Sequence, residues 1–324
     1  MASQLVRELQ SDTAQQLTTL AEHLTMEYGA VSHPELVRYA PEYAGSLDEE
    51  FRLALRPPQL GLFVLRGLPV DDVAIGLTPP HWSSAVTAST TVHDIAMLLM
   101  ASVLGRPFGW EGQQDGRLVH NILPSRGHET EQTGASSSVL LSAHTEDAFH
   151  PERAHLMLLG CLRNHDGVGT SAASVRATEL SDADIELLSE PRLPILPDDA
   201  YAEAQAYGGE APEVAVLWQG EDGHALRYDP AYTPLDRADA EYRAAYGRLG
   251  TELERVATSV RLDPGDVLVI DNDTVAHGRE PFRARYDGTD RWLKRVSVHV
   301  PGRARPAAEA SEHGYGQRIL DPYR

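Results

Sequence analysis

The sequence has very little of several residue types that mark particular protein classes. Its 324 residues include a single cysteine, Cys161, so an intrachain disulfide, a four-cysteine zinc site and a Cys-X-X-Cys redox pair are excluded. No apolar run reaches the roughly 18 residues of a membrane-spanning helix, and the charged N-terminal segment MASQLVRELQSD does not resemble a signal peptide. We therefore expect a cytoplasmic protein in which Cys161 is a buried core thiol.

Positive charge is also scarce. Lys and Arg number 28 against 48 Asp and Glu, which gives a formal net charge of −20. Such a chain would repel the phosphates of nucleic acids and of anionic lipids, so we expect neither a nucleic-acid nor a membrane partner. An acidic protein can, however, accept a small cationic molecule.

The chain lacks a Gly-rich phosphate loop and a regular βα alternation, which argues against Rossmann and P-loop proteins. The length allows one domain or two. Hydrophobic patterning predicts many short strands and a few helices, and therefore a mixed α/β, β-rich fold with a closed β core flanked by helices. We expect strands at 61–67, 117–123, 138–147, 154–162, 266–271 and 293–300, and helices at 1–28, 91–104, 181–188 and 234–258.

We expect residues 1–324 to form a single domain. Residues 1–60 should be a helical N-terminal part, because prolines break the sequence after residue 33 into short pieces. Residues 195–226 are rich in Pro, Asp, Gly and Glu. We interpret them as a long mobile excursion that could act as an active-site lid, since long irregular segments in compact domains are usually functional or disordered.

The first candidate for chemistry is His144 in the sequence Ala143-His144-Thr145-Glu146. Residues i and i+2 of a strand point to the same face, so the imidazole of His144 and the carboxylate of Glu146 could converge on one metal ion. The alternative is an ordinary solvated strand end, since the chain has 14 histidines.

Two further residues lie far along the chain. His277 follows the predicted core strand at 266–271, which suits a metal ligand but also an ordinary loop histidine. Arg291 opens the last predicted strand, where it could bind a carboxylate or simply pair on the surface with Asp287 or Asp290.

Two histidines and one carboxylate form the ligand set of non-haem Fe(II) oxygenases. Zinc enzymes also use this set, but the His-Glu-X-X-His helix of the common zinc proteases is absent. An iron oxygenase of this type needs a carboxylate-bearing cosubstrate beside the metal, and Arg291 could hold it. The arginine therefore favours iron.

The sequence resembles the clavaminate-synthase-like Fe(II)/2-oxoglutarate oxygenases, and within them most closely the hydroxylases of free L-arginine. The resemblance rests on HTEDAFH at 144–150, LDPGDVLVIDN at 262–272 and AHGREPFRARYDGTDRWLKRV at 276–296. It extends to LRGLPVDD at 65–72 and FGWEGQQDGRLV at 108–119, and so covers most of the chain from about residue 60 onward.

The resemblance implies a double-stranded β-helix (jelly-roll or cupin-like) core flanked by helices, with O2 as the second cosubstrate. It implies that Fe(II) is bound by three residues and the distal carboxylate of 2-oxoglutarate by two more. It also implies that further residues bind the α-carboxylate and the α-amino group of a free amino acid. The corresponding positions are His144, Glu146 and His277 for iron, Arg291 and Thr170 for 2-oxoglutarate, Arg295 for the α-carboxylate, and Gln113 with Glu146 for the α-amino group.

One departure concerns the substrate side chain. The arginine hydroxylases hold the guanidinium with two aspartates spaced i and i+2, whereas here Asp229 matches the first and Ala231 replaces the second. Asp198, Asp199 or Glu210 could supply another carboxylate. The resemblance thus implies hydroxylation at C3 or C4 of arginine, lysine, citrulline or a derivative, in antibiotic or other natural-product biosynthesis. A desaturase or cyclase on the same site, or a non-catalytic metal- or amino-acid-binding protein, is the alternative.

Overall fold

The computed structural model describes residues 5–85, 88–201 and 211–323. The strands are β1 (Val6–Glu8), β2 (Leu62–Arg66), β3 (Arg106–Trp110), β4 (Val119–Ile122), β5 (Leu141–His144), β6 (Leu156–Arg163), β7 (Gly169–Ser174), β8 (Leu217–Gly220), β9 (Gly223–Leu226), β10 (Thr258–Arg261), β11 (Val267–Asp271), β12 (Val275–Arg279), β13 (Trp292–His299) and β14 (Ile319–Leu320). The α-helices are α1 (Ser11–Tyr28), α2 (Pro34–Gly45), α3 (Glu49–Ala54), α4 (Thr91–Leu104), α5 (Asp182–Leu188) and α6 (Ala240–Val256).

The strands of the described residues form two larger sheets and one hairpin. The larger sheet has the order β1-β2-β11-β6-β13-β3-β14, and β4 pairs with another part of β13. The smaller sheet has the order β10-β7-β12-β5, and β8 pairs with β9. All neighbours are antiparallel except β1 and β2. This confirms the mixed α/β, β-rich fold class.

Apolar side chains from both sheets pack together, so the sheets face each other. The shared cluster includes Leu159 and Leu268 from the larger sheet and Ala172 and Val275 from the smaller one. Cys161 belongs to it as well, and burial raises the pKa of its thiol to about 12. The core thiol expected from the sequence is therefore in place.

Helices cover the outer faces of both sheets. α1, α2 and α4 pack on the larger sheet, where every second residue of β11 and β13 points away from the smaller sheet. α6 covers the smaller sheet through an apolar face that includes Tyr242, Leu249 and Leu253. It begins at Asp239, whose Oδ1 accepts a hydrogen bond from the Tyr242 N–H at 2.8 Å. Among the described residues, no helix combines the length and apolar character needed to cross a lipid bilayer.

Several elements differ from the sequence-based expectation. The helix expected over 1–28 begins only at Ser11, because Val6–Glu8 pair with β2 as a parallel strand. β3, β7, β10 and β12 were not predicted as strands. The excursion at 195–226 is partly regular, since Leu217–Gly220 and Gly223–Leu226 form a hairpin; its residues 202–210 lie outside the described residues.

Candidate active site

Two histidines face each other across neighbouring strands of the smaller sheet. His144 on β5 and His277 on β12 are direct register partners, and their ring centroids lie 4.7 Å apart. The sequence had placed His277 in a loop after a core strand, but it lies inside a strand of its own. Because cross-strand partners share one face of a sheet, both imidazoles point into the interior between the sheets.

Glu146 completes the group from outside the strand. Its Oε2 lies 3.7 Å from Nε2 of His144 and 3.5 Å from Nε2 of His277. One ligand atom from each residue lies within 4.8 Å of the others. The expected strand over 138–147 ends at His144, so the i, i+2 argument that paired His144 with Glu146 was wrong, although the two side chains do converge.

A tight turn brings the carboxylate to the imidazoles. Asp147 adopts a left-handed backbone conformation with φ of +52°, and the side chain of Asn272 binds the turn. Its Oδ1 accepts from the Glu146 N–H at 2.7 Å, and its Nδ2 donates to the carbonyls of Glu146 and Ala154, both at 3.0 Å. Asn272, the residue directly after β11, therefore fixes the position of the acid.

The electrostatics of the three residues suit a divalent cation. Burial lowers the pKa of His277. Burial also acts to lower the pKa of His144, but the contact with Glu146, the charge of Asp229 and the Ser142 carbonyl together outweigh it and raise that pKa to about 9. Burial acts to raise the pKa of Glu146, but Arg295 and the two imidazoles hold it well below its ordinary value. The carboxylate of Glu146 is thus ionised and favours a proton on His144. A bound metal cation would take the place of that proton.

The orientation of His144 is also suitable for a ligand. Its Nδ1 lies 2.8 Å from the carbonyl of Ser142, so Nδ1 carries the proton and Nε2 is free to bind a metal. For His277, Nδ1 has no hydrogen-bond partner among the described residues. Two imidazoles and one carboxylate grouped in this way form the ligand set of a non-haem iron centre, with positions left for other ligands.

Arg291 lies at the inner end of the site. Its guanidinium is buried, donates to Oγ1 of Thr170 on β7 at 3.0 Å and leaves Nε without a partner among the described residues. It pairs with neither Asp287 nor Asp290, so the interpretation as a surface ion pair was wrong. Burial lowers its pKa to about 10. A buried cation without an acid is costly, and a bound carboxylate would compensate it.

Arg295 forms a second cationic group next to the metal ligands. It makes an ion pair with Glu146, donates to Oε1 of Gln113 at 2.9 Å and lies 3.0 Å from Nδ1 of His120. Burial lowers the pKa of His120 to about 3, so this imidazole is neutral and its Nδ1 accepts from Arg295. Gln113 and Arg295, two residues expected in the site from different parts of the chain, are in direct contact.

These groups open onto one cavity of about 380 Å³ between the sheets. The predicted site residues that line it are Gln113, His144, Glu146, Thr170, His277, Arg291 and Arg295. Asp198 and Asp199 line it as well. Asp229 is buried three residues after the end of β9 and is not among the described lining residues. Its Oδ1 accepts from the Ala231 N–H at 3.1 Å, burial raises its pKa to about 6, and its charge acts on His144. Glu210 lies outside the described residues.

Sequence reasoning missed two polar residues of this region. His120 carries no motif of its own, and only its place opposite Arg295 in the β4–β13 pairing reveals it. Asp147 stands beside Glu146 in the chain, and that adjacency of two acids was an available signal. Its carboxylate accepts from Nε1 of Trp110 at 2.7 Å and from the hydroxyl of Tyr201 at 2.6 Å. Burial, followed by the charge of Glu146, raises its pKa to about 6.

The fold and the site together define a β-rich protein with a two-histidine, one-carboxylate centre between two sheets. Residues 40–297 match the model of the family described as taurine catabolism dioxygenase TauD, TfdA family. The chain therefore belongs to the TauD/TfdA family of dioxygenases.

Individual relatives agree with this membership. The chain is 39% identical to enduracididine beta-hydroxylase of Streptomyces hygroscopicus, covering 91% of this chain and 94% of that protein. It is 34% identical to the L-ornithine/L-arginine 3-hydroxylase of Catenulispora acidiphila, with 85% and 88% covered. Among solved structures, it superposes on the non-heme iron oxygenase OrfP in complex with Fe, succinate and (3S)-hydroxy-L-Arg. The TM-score is 0.83 at 39% identity, and 91% and 94% of the two chains are covered.

These findings confirm the resemblance seen in the sequence. The chain is a 2-oxoglutarate-dependent dioxygenase, and its cofactors are Fe(II) and 2-oxoglutarate, with O2 as cosubstrate. The residues present fit this set, because a group of three metal ligands faces the same cavity as the buried guanidinium of Arg291, which has no acid partner in the described part of the chain.

Proposed function

We propose that the protein hydroxylates a free L-amino acid with a cationic or polar side chain, at C3 or C4, in the biosynthesis of an antibiotic or another natural product. Arginine, lysine, citrulline or a derivative would be the substrate. The observation that carries this proposal is the single cavity onto which the three metal ligands, Arg291 and Arg295 all open. The relatives named above as hydroxylases of enduracididine, ornithine and arginine support the substrate class.

In this proposal His144, Glu146 and His277 hold Fe(II), and Arg291 with Thr170 holds the distal carboxylate of 2-oxoglutarate. Together with 2-oxoglutarate and O2, the metal supplies the oxidant that converts a C–H bond into C–OH. The contribution of the chain is binding and alignment. Thr170 orients the Arg291 guanidinium through its hydroxyl, and the buried position of both residues keeps water away from the carboxylate that they bind.

The amino acid would be recognised at its two backbone groups. Arg295 offers a guanidinium for the α-carboxylate, while Gln113 and the second oxygen of Glu146 accept from the α-ammonium group. The contacts among these three residues support a shared subsite. An error of about 1 Å in placing the target carbon could cost roughly 100-fold in rate. Holding the amino acid at both groups would therefore increase the reaction rate as well as the affinity.

The distal part of the substrate would meet negative charge. We propose that Asp229 contributes to recognition of the side chain, as its position in the resemblance implies. Asp198 and Asp199 would supply the further carboxylate that Ala231 cannot. The lining of the cavity by Asp198 and Asp199 supports a cationic side chain over an anionic one.

We further propose that the two facing sheets form a double-stranded β-helix (jelly-roll) core and that residues 1–324 act as one domain. In this domain, residues 195–226 serve as the lid, which the position of Asp198, Asp199 and Ala200 at the cavity supports. The protein would work in the cytoplasm, where Fe(II) and 2-oxoglutarate are available.

The test is a screen of free L-amino acids with protein that has been loaded anaerobically with Fe(II) and 2-oxoglutarate. Oxygen uptake and succinate release triggered by one cationic or polar amino acid are expected, with a product heavier by about 16 mass units. A product lighter by about 2 mass units would identify a desaturase or cyclase instead. Binding of the amino acid without succinate release would show a non-catalytic protein.

A further inference from the structure

The strand that carries His144 lies at the edge of its sheet. β5 has four residues and, within the described part of the chain, a single neighbouring strand, β12. The ladder between them is irregular, since the register shifts between His277 and Arg279. An edge strand leaves a row of outward backbone groups without a partner strand, so other groups must bind them if the strand is to hold its position.

Ser142 has its outward backbone groups bound in an unusual way. Its N–H donates to Oε1 of Gln132 at 3.1 Å, and its carbonyl accepts from Nδ1 of His144 at 2.8 Å. The Nε2 of Gln132 donates to the carbonyl of Leu140 at 3.1 Å. The amide of Gln132 therefore pairs with the free edge of β5 as one residue of an additional strand would.

The segment that carries Gln132 is itself anchored to the strand of the other histidine. Arg279 lies on β12, two residues after His277, and its guanidinium donates to the carbonyls of Ser137 and Val139 and to Oγ of Ser136, at 3.1, 3.2 and 2.9 Å. The residues between β4 and β5 are thus bound on one side by Arg279 and pair on the other with the edge of β5. Gln132 also lines the cavity.

We propose that Gln132 is a positioning residue for the metal centre, and this inference rests on the proposed function. Through Ser142 it fixes the edge strand and the carbonyl that orients His144, without touching the metal itself. Loss of the partner that directly orients a metal-bound histidine typically weakens metal binding by about 10- to 100-fold. Gln132 acts on that partner, the Ser142 carbonyl, from one contact further out, so we expect a loss at the lower end of this range when its amide is removed.

The chain offers a matched control on another strand of the same cavity. Gln114 makes the same two-point contact with Asn121 of β4: its Nε2 donates to the Asn121 carbonyl and its Oε1 accepts from the Asn121 N–H, both at 2.9 Å. β4 carries His120, which contacts Arg295, and no metal ligand. Gln132→Met and Gln114→Met therefore remove the same kind of contact. The first variant removes it from β5, which carries a metal ligand, and the second removes it from β4, which carries none.

The experiment measures Mn(II) binding to the metal-free full-length protein by calorimetric titration, together with the melting temperature of each metal-free variant. Gln132→Met should raise the Kd for Mn(II) about 10-fold, at the lower end of that range. Gln114→Met should change it less than about 3-fold, since it acts on no metal ligand. If both glutamines only stabilised the fold, both variants would have lower melting temperatures and unchanged Kd values for Mn(II). That result would overturn the proposal.

A second pair of variants tests the route through Ser142. Gln132→Glu keeps an acceptor for the Ser142 N–H, and Gln114→Glu adds the same charge to the same cavity. Gln132→Glu should recover most of the affinity that Gln132→Met loses, whereas a loss equal to that of Gln132→Met would contradict the proposal. Failure of the wild-type protein to bind Mn(II) at all would instead contradict the proposed function.

Discussion

Replacing Arg291 with methionine should weaken the binding of 2-oxoglutarate without making the protein less stable. The substitution removes the cation that we assign to the distal carboxylate of 2-oxoglutarate, so the apparent KM for 2-oxoglutarate should rise steeply. It also removes a buried guanidinium that has one side-chain partner, Thr170, and an unpaired Nε within the described residues. The metal-free and cosubstrate-free protein should therefore become at least as stable as the wild type.

The expected size of both effects follows from the burial of Arg291 and of the 2-oxoglutarate carboxylate that we assign to it. Removing one partner of a desolvated charge pair costs about 2–5 kcal/mol, and a value of about 3 kcal/mol corresponds to roughly a 150-fold rise in KM. Replacing a buried ion pair with apolar residues of similar volume is often neutral or stabilises by about 1–4 kcal/mol, and Arg291 has no attraction to an acid in the described residues to lose. The assays are succinate formation at varied 2-oxoglutarate concentration and thermal unfolding of the cosubstrate-free protein.

Arg279 provides the control, because it is also a buried arginine of this cavity without a carboxylate partner in the described part of the chain. It differs from Arg291 in donating to three backbone carbonyls and one hydroxyl. Arg279→Met should therefore destabilise the protein by about 2 kcal/mol or more, since it leaves buried carbonyls unpaired. A less stable Arg291→Met with an unchanged KM would refute the role given to Arg291 and make it a structural residue.

Three further outcomes are expected. His277→Ala should abolish turnover and weaken Mn(II) binding, and undiminished succinate production would reject its assignment as a ligand. Asp229→Ala should change the preference among amino acids in a competition assay, whereas an unchanged preference would remove it from side-chain recognition. Glu309→Gln should destabilise the protein by up to about 3–5 kcal/mol at neutral pH, because the buried Arg153 loses its ionic partner at 2.7 Å and keeps the more distant carboxylate of Asp273 at 3.6 Å. Burial raises the pKa of Glu309, but Arg153 and Arg227 outweigh it and hold the pKa below its ordinary 4.5. Its contribution is therefore present above pH 4.5 and lost as the pH falls through the lowered pKa. Chemical denaturation at several pH values should show the difference between Glu309→Gln and wild type shrinking in acid, and a constant difference would contradict the ion pair.

The sequence predicted those helices and strands whose own residues show both a clear hydrophobic pattern and residues that end the element. α4 matches the expected bounds of 91–104 because a long apolar run ends at Gly105 and Pro107. The helix expected over 181–188 begins directly after Ser181, because Oγ of this serine accepts a hydrogen bond from the Asp184 N–H at 3.2 Å and so caps it. Strands β2, β6 and β11 were found because they are short, largely apolar and enclosed by turn residues, and β13 was found because apolar and polar residues alternate along it.

The elements that were missed obtain their structure from neighbours rather than from their own sequence. β7 reads Gly-Thr-Ser-Ala-Ala-Ser, which has neither large apolar residues nor an alternating pattern, and it is a strand because β10 and β12 pair with it on both sides. The same holds for β12, where His277 lies. Local pattern could not reveal that His144 and His277 are register partners, since more than a hundred residues separate them.

For the site, residue types and resemblance indicated which side chains would meet. The structure brings the metal ligands, Gln113, Thr170, Arg291 and Arg295 to one cavity, whereas Asp229 is not among the described residues that line it. The reasoning about how Glu146 reaches the histidines was wrong because a turn, not a strand, carries it. The partners that hold these residues, such as Asn272, His120 and Gln132, are ordinary polar residues in the sequence. Their roles depend on contacts between distant segments, which no local pattern encodes.

The way in which the three metal ligands are held has a consequence for purification. The pairing of β5 with β12 sets the spacing of His144 and His277, and Asn272 fixes the turn that carries Glu146, so the three donors are grouped without a metal. Divalent cobalt, nickel, copper and zinc bind such donors at least as tightly as ferrous iron does. The apoprotein will therefore retain whichever of these contaminants it meets first. Mismetallated preparations should be folded but inert, and chelation followed by anaerobic reconstitution should restore them.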